Sequence, residues 1–287
     1  MKNHLNKLLE LKGLEIHAAE VLQNGCVLLH HCPDGDKRYP VYSVTKSVTS
    51  AAFSLACDDV LLSPKMPLYK FLDTDIPMLD AFKALPFSRF LTMTAGEYPF
   101  RPQGDNWLSF ILSLDTDYSD TGYRYSNIPA YLVGRAVENA VGGDLMGYLD
   151  KRLFSPLGID KPTYLTCPEG HFYGATGMEL TVHELALLGQ LYLDKGYCKG
   201  KSIISEGSVC EALTPRILTP SGDHYGYFFR IAEDHCSMVG KWGQRCMIYP
   251  ENGLIIAYLS DERERSDQLY ELMKCYAADI INDRIPQ

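Results

Sequence analysis

The chain has 287 residues, 46% of them apolar, enough to bury a large core as one domain or two. Asp plus Glu outnumber Lys plus Arg by 36 to 27, a net charge of -9, which is the wrong balance for a sequence-independent nucleic-acid binder. No basic cluster suits an acidic membrane surface, and no run reaches the ~18 apolar residues of a membrane helix.

The first twenty residues lack the apolar core and small-residue cleavage site of a signal peptide. The nine cysteines are odd in number and scattered, with no Cys-x-x-Cys. Unpaired thiols suit a reducing compartment, so the expected location is the cytoplasm.

In chain order, Leu5 to Leu11 reads as a short amphipathic helix. Glu15 to Leu22 and Cys26 to His31 read as strands joined through Asn24-Gly25, a strong hairpin signal. After the turn at Pro33-Asp34-Gly35-Asp36, a helix apolar around most of its circumference runs from Ser43 to about Asp58, as a central buried helix does. From 61 to 167 strand alternation disappears. Short helices are expected at Ser88 to Met93, Asn106 to Leu114, Asn127 to Val141 and Asp144 to Phe154. Thr181 and Glu184 form a capping box that opens another helix, and Ser205 caps a shorter one. Strands return at Tyr225 to Ile231, Cys236 to Val239, Arg245 to Tyr249 and Leu254 to Ser260. A last helix spans Ser266 to Ile281.

Strands at both ends and helices between them imply an α+β architecture. One antiparallel sheet is built from the two termini and flanked by helices. The discontinuous sheet domain covers 1–60 and 168–287, and a mainly helical insert covers 61–167.

Three short stretches carry candidate chemistry. Ser43-Val44-Thr45-Lys46 places a serine on the first turn of a helix and a lysine three residues on, along the same face. Burial would lower the lysine pKa and let a neutral amine take the serine proton. The bland alternative is a helix start with a capping hydroxyl. Tyr125-Ser126-Asn127 precedes a helix; Asn127 reads either as an N-cap or as a partner of Lys46, with Tyr125 relaying protons. Gly240-Lys241-Trp242-Gly243-Gln244 lies between strand patterns. It is either a bulge or turn, or a strand edge beside Ser43 with the Gln244 N–H in an oxyanion hole and Lys241 a cation near Tyr125.

Taken together, the three stretches resemble, in order and approximate spacing, the motifs of the serine β-lactamase and penicillin-recognising enzyme superfamily. The Tyr-x-Asn form is similar to class C β-lactamases and the related esterases and 6-aminohexanoate-oligomer hydrolases. Leu91 to Gly96, Phe154 to Gly158 and Thr176 to Leu193 resemble further family segments. The resemblance implies a serine hydrolase acting on a small ester or amide through an acyl-enzyme on Ser43, with Lys46 as base and Tyr125 assisting. Asn127, Lys241, Trp242, Gly243 and Gln244 would bind substrate or its oxyanion, with no metal or cofactor. A true β-lactamase or D-alanyl-D-alanine peptidase is the alternative enzyme, and a catalytically silent binding module the alternative of another class. Trp242 stands where β-lactamases commonly carry a threonine, which argues against recognition of a β-lactam carboxylate.

Other signals carry less. His183-Glu184 opens a zinc-protease-like pattern but lacks the second histidine. Asp115-Thr116-Asp117 lacks the rest of a calcium loop. His30 and His31 are adjacent in a strand and face opposite sides, so they are not expected to share a metal. Trp107, Phe110, Tyr118, Tyr123 and Tyr227 are candidates to line a cleft or to pack in the core.

Overall fold

The computed structural model describes residues 1–72 and 75–284. A single eight-stranded antiparallel sheet forms its centre. Its strands are β1 (Ala18–Gln23), β2 (Cys26–His31), β3 (Ile217–Leu218), β4 (His224–Tyr225), β5 (Arg230–Ile231), β6 (Cys236–Gly240), β7 (Gln244–Tyr249) and β8 (Leu254–Leu259). Their spatial order is β2-β1-β8-β7-β6-β5-β4-β3, so the N-terminal hairpin joins the C-terminal strands through the β1–β8 pair. The fold is the α+β arrangement expected, built from both ends of the chain. Among the described residues of 61–167, none belongs to this sheet.

Helices cover both faces. On one, α1 (Lys2–Lys12) and the C-terminal helix α5 (Ser266–Ile281) bury Leu5, Leu9, Leu269, Met273 and Tyr276 against Val21, Met247, Ile256 and Tyr258. On the other, the helix Val182–Leu193 (α4) packs against β1, β7 and β8, and α2 (Thr45–Asp58) packs against α3 (Ile128–Ala140). α2 is buried at every position from Thr45 to Ala56, including Lys46 and four hydroxyl residues after it. A helix enclosed on all sides must pair its polar groups internally. Thr49 Oγ1 donates to Gly174 O at 2.7 Å and Ser47 Oγ to Phe228 O at 2.9 Å, so α2 is stitched to the loops at 174 and 228. Among the described residues no helix is long and apolar enough to cross a membrane.

The structure departs from the sequence reading in two places. The expected strand over Tyr225 to Ile231 is broken into β4 and β5, with 226–229 bulging out between them. Gly226 sits so close to the helix at Glu206–Leu213 that a Cβ would lie 2.4 Å from Ala212 O. Phe228 then takes a left-handed φ of 62° and donates its N–H to Leu91 O at 3.2 Å. Long-range carbonyls, not local propensity, set that bend. The helix expected over Asp144 to Phe154 is α-helical only over Leu145–Leu149, continues as a π-turn over Asp150–Phe154, and ends at Ser155–Leu157.

Candidate active site

Ser43 occupies a short 3-10 turn, Tyr42–Val44, that feeds into α2. The turn is strained. Tyr42 has a φ of 47°, a region that L-residues seldom occupy unless neighbours hold them there. Thr45 Oγ1 holds it by donating to Tyr42 O at 2.7 Å, and Val44 N–H donates to Val41 O at 3.1 Å. The Tyr42 ring rests edge-on against Trp242, centroids 5.0 Å apart.

Lys46 is 1% exposed, and its Nζ lies 3.0 Å from Ser43 Oγ. It donates to Asn127 Oδ1 at 2.7 Å and to Ala175 O at 2.8 Å. Both of these atoms can only accept, so they take two of the amine's hydrogens. The direction that remains points at the serine oxygen. Burial pushes the amine below its ordinary pKa, and interaction with the Tyr125 phenol, whose ring centroid is 5.0 Å from Nζ, opposes that without reversing it. In its neutral form the amine would present its lone pair to the Ser43 hydroxyl.

Asn127 begins α3, yet its side chain makes no cap hydrogen bond. The cap is supplied by Ser126, whose Oγ accepts from Ile128 N–H at 3.1 Å and donates to Pro99 O at 2.7 Å. The Asn127 amide is thereby free for the site, and its Nδ2 donates to Tyr173 Oη at 3.1 Å. Burial raises the Tyr173 phenol above its ordinary pKa, so it stays neutral. Asn127 thus holds the N-cap position of α3, while its side chain serves Lys46 and Tyr173 rather than the cap.

Ser43 opens into a cavity of about 540 Å³, whose walls include Tyr125, Asn127 and Lys241. Arg101 and Arg230 also line it, with no Asp or Glu. Arg230 Nη1 is held by Thr219 Oγ1 at 2.9 Å and Ser221 Oγ at 2.7 Å, both neutral.

The third stretch divides at Lys241. Gly240 ends β6 so close to the strained turn that a Cβ would fall 2.3 Å from Val41 O, which requires glycine. Gly240 and Lys241 face Ser43. Trp242, Gly243 and Gln244 do not line the Ser43 cavity; with Gly240 and Lys241 they line a neighbouring cavity of about 940 Å³. Trp242 lies between Lys241 Nζ, 4.1 Å from its ring centroid, and Arg263 Cζ at 4.3 Å, and it braces Tyr42 rather than facing the Ser43 cavity. Gln244 belongs to the sheet. It pairs with Gly240 in the β6–β7 ladder, and its 2%-exposed side chain exchanges two hydrogen bonds with the Ser260 backbone. Lys241 is the first residue past the ladder. Among the described residues, neither the Ser43 nor the Lys241 N–H has a backbone acceptor.

Of the aromatic candidates, none of Trp107, Phe110, Tyr118, Tyr123 and Tyr227 lines the Ser43 cavity. Trp107 packs behind Tyr173 at 4.7 Å and Tyr123 behind Tyr225 at 5.2 Å. The sequence reading missed Tyr173 and the Ala175 carbonyl. A backbone carbonyl leaves no residue-type signature, and Tyr173 stands in a loop without periodicity.

A β-lactamase family model matches residues 21–272. The chain belongs to the β-lactamase family. Among curated proteins it is 20% identical over 260 residues to the 6-aminohexanoate-dimer hydrolase of Paenarthrobacter ureafaciens, covering 78% of this chain and 66% of that relative, just under two thirds of its length. Among solved structures it resembles a candidate 6-aminohexanoate-dimer hydrolase from Bacillus anthracis (TM-score 0.82, 18% identity, 99% of this chain and 83% of that one). It also resembles a penicillin-binding protein from Bacillus halodurans (TM-score 0.74, 17% identity, 96% and 99%). At these identities the structures show the shared fold, and with the family match they make the chain a β-lactamase-like serine hydrolase by family.

Proposed function

We propose that this protein hydrolyses a small ester or amide through an acyl-enzyme on Ser43. The observation that carries the reading is the amine of Lys46, buried among neutral acceptors with its one remaining direction aimed at Ser43 Oγ. In the acylation step Oγ attacks the substrate carbonyl carbon while its proton passes to Lys46 Nζ. The oxyanion is received by the free N–H groups of Ser43 and Lys241. The leaving group departs with a proton relayed through Tyr125, which is 38% exposed at the cavity wall. Water then attacks the acyl carbon and restores Ser43. Asn127 holds Lys46 in place, and the hairpin tip at Trp242 and Gly243 braces the turn from behind.

The cavity's charge narrows the substrate. Arg101, Arg230 and Lys241 line it, no carboxylate does, and the protein as a whole is acidic. A substrate with an anionic group a few atoms from its scissile bond fits this lining. The nine cysteines are all unpaired, which favours a reducing, cytoplasmic setting.

A panel of p-nitrophenyl esters and anilides, with and without a terminal carboxylate, tests the reading alongside nitrocefin. Turnover of the carboxylated esters, abolished in Ser43→Ala, supports it. Faster turnover of nitrocefin than of any ester would make the protein a β-lactamase instead. No turnover and no acyl adduct would favour a silent binding module.

A further inference from the structure

Far from the Ser43 cavity, the end of β2 and the turn after it gather three metal-ligand side chains. One donor atom from each of His30, Cys32 and Asp36 lies within 4.8 Å of the others. The turn produces this convergence. Gly35 N–H donates to Cys32 O at 3.1 Å and Lys37 N–H to Gly35 O at 3.1 Å, which folds Asp36 back over Cys32. The alternation of strand faces separates His30 from His31, which is buried on the opposite side. It does not separate His30 from residues beyond the strand end.

A second observation comes from inside the fold. Glu20 on β1 stands opposite His30 in the ladder and is 0% exposed. Its Oε2 lies 2.5 Å from His30 Nδ1 and its Oε1 lies 2.7 Å from His183 Nδ1 on α4. A metal-bound histidine ordinarily donates its other ring N–H to a carboxylate, which fixes the tautomer and the ring plane. The buried Glu20 already holds His30 in that way.

We infer that His30, Cys32 and Asp36 form a divalent-cation site suited to Zn²⁺, with Glu20 positioning His30 from the interior. A thiolate, an imidazole and a carboxylate together match zinc, whereas calcium and magnesium take oxygen ligands. His30 and Asp36 are exposed, so the fourth position faces solvent and takes water. The bound ion would tie the end of β2 to the linker that runs through Arg38 and Tyr39 to the strained turn at Tyr42. None of the three ligands lines the Ser43 cavity, so the site braces the segment that leads to the nucleophile and does not enter its chemistry.

The test uses the full chain, reduced and stripped with chelator, with the exposed Cys26, Cys210 and Cys275 changed to serine so that their thiols cannot contribute. Titration with Co²⁺ is expected to produce one equivalent of thiolate-to-cobalt charge-transfer absorption, displaced by Zn²⁺, and Zn²⁺ should raise the Tm. Cys32→Ser should abolish both effects. His30→Ala and Asp36→Asn, at exposed positions, should weaken binding by about 10-fold or more, and Glu20→Gln by about 10–100-fold, with circular dichroism and ester hydrolysis at Ser43 unchanged. If Glu20→Gln misfolds, the two exposed variants decide. No charge-transfer band with stoichiometric Co²⁺ overturns the site. The same band in Cys32→Ser, or unchanged affinity in both His30→Ala and Asp36→Asn, overturns the ligand set.

Discussion

Lys46 and Glu20 are both ionisable, both almost fully buried, and surrounded in opposite ways. The amine of Lys46 meets Ser43 Oγ, Asn127 Oδ1 and Ala175 O, none of which carries charge. The carboxylate of Glu20 lies between the imidazoles of His30 and His183, each able to bear a positive charge. A buried group without countercharge is driven toward its neutral form, and for a lysine the neutral form is a base. A buried carboxylate with two potential cations is held in place and can orient what it touches. The same degree of burial thus yields a proton acceptor in one region and a positioning group in the other, and the partners decide which.

The strongest way to break the comparison removes the group that Lys46 serves. Ser43→Ala should lower kcat for carboxylated p-nitrophenyl esters by about 10⁴-fold or more while leaving the Tm nearly unchanged, since only a half-buried hydroxyl is lost. Steady-state kinetics and calorimetry read this directly.

The next variant makes Lys46 resemble Glu20 by giving it a charged partner. Asn127→Asp places a carboxylate 2.7 Å from the amine, and an opposite charge at that range raises a lysine pKa by about 1–3 pH units. In the wild type the amine is lowered by burial, so activity rises with pH through a limb that lies below the ordinary lysine value of 10.5. In Asn127→Asp that limb should move up by the same amount, and activity at a pH on the rising limb should fall by about 10-fold or more. A pH–rate profile of kcat/KM checks both. The stability sign follows from the same shift. The unfolded chain holds the Lys46 proton at pH values where the folded one has released it, so this residue's contribution to stability increases with pH up to 10.5 and declines as pH falls toward the folded pKa. The stability of the wild type relative to Lys46→Met should therefore rise with pH across that window.

Arg230→Gln tests the cavity's charge. It should raise KM for a carboxylated ester by about 10-fold, one ion pair of about 1.4 kcal/mol, and leave a neutral ester of similar size unchanged. Equal losses for both esters would remove the anionic-substrate reading while leaving the chemistry of Ser43 intact.

The smallest effect on catalysis is expected from Gln244→Ala. Losing two hydrogen bonds to Ser260 should cost about 1–3 kcal/mol of stability, and kcat should stay within a few-fold because the buried side chain faces Ser260 and the substitution keeps the backbone N–H. A large kcat loss with an unchanged Tm would give the Gln244 side chain a part in the reaction that its bonds to Ser260 do not suggest.

The sequence made the framework legible where a short-range pattern produces it. The Asn24-Gly25 hairpin, the enclosed α2, the capping box at Thr181 and the β7–β8 hairpin all follow from periodicity and turn chemistry. The pairing of Ser43 with Lys46 was legible too, because three residues along one helix fix it locally. What escaped was set by distant backbone. The break at 226–229 depends on Ala212 and Leu91 carbonyls, and the cradle of Lys46 depends on Ala175 O. The choice between Lys241 and Gln244 depends on the hairpin register. The His30 ligand set went unseen because it spans a strand end and a turn, where strand alternation no longer applies.

The proposed hydrolysis rests on a neutral Lys46 activating Ser43. Intact-mass labelling with a fluorophosphonate across pH, followed by peptide mapping, tests it most directly. The account predicts a single adduct on Ser43, a labelling rate that rises with pH through a limb below 10.5, and no adduct in Ser43→Ala. An adduct that persists in Ser43→Ala, or a labelling rate in Lys46→Met equal to the wild type, would contradict it.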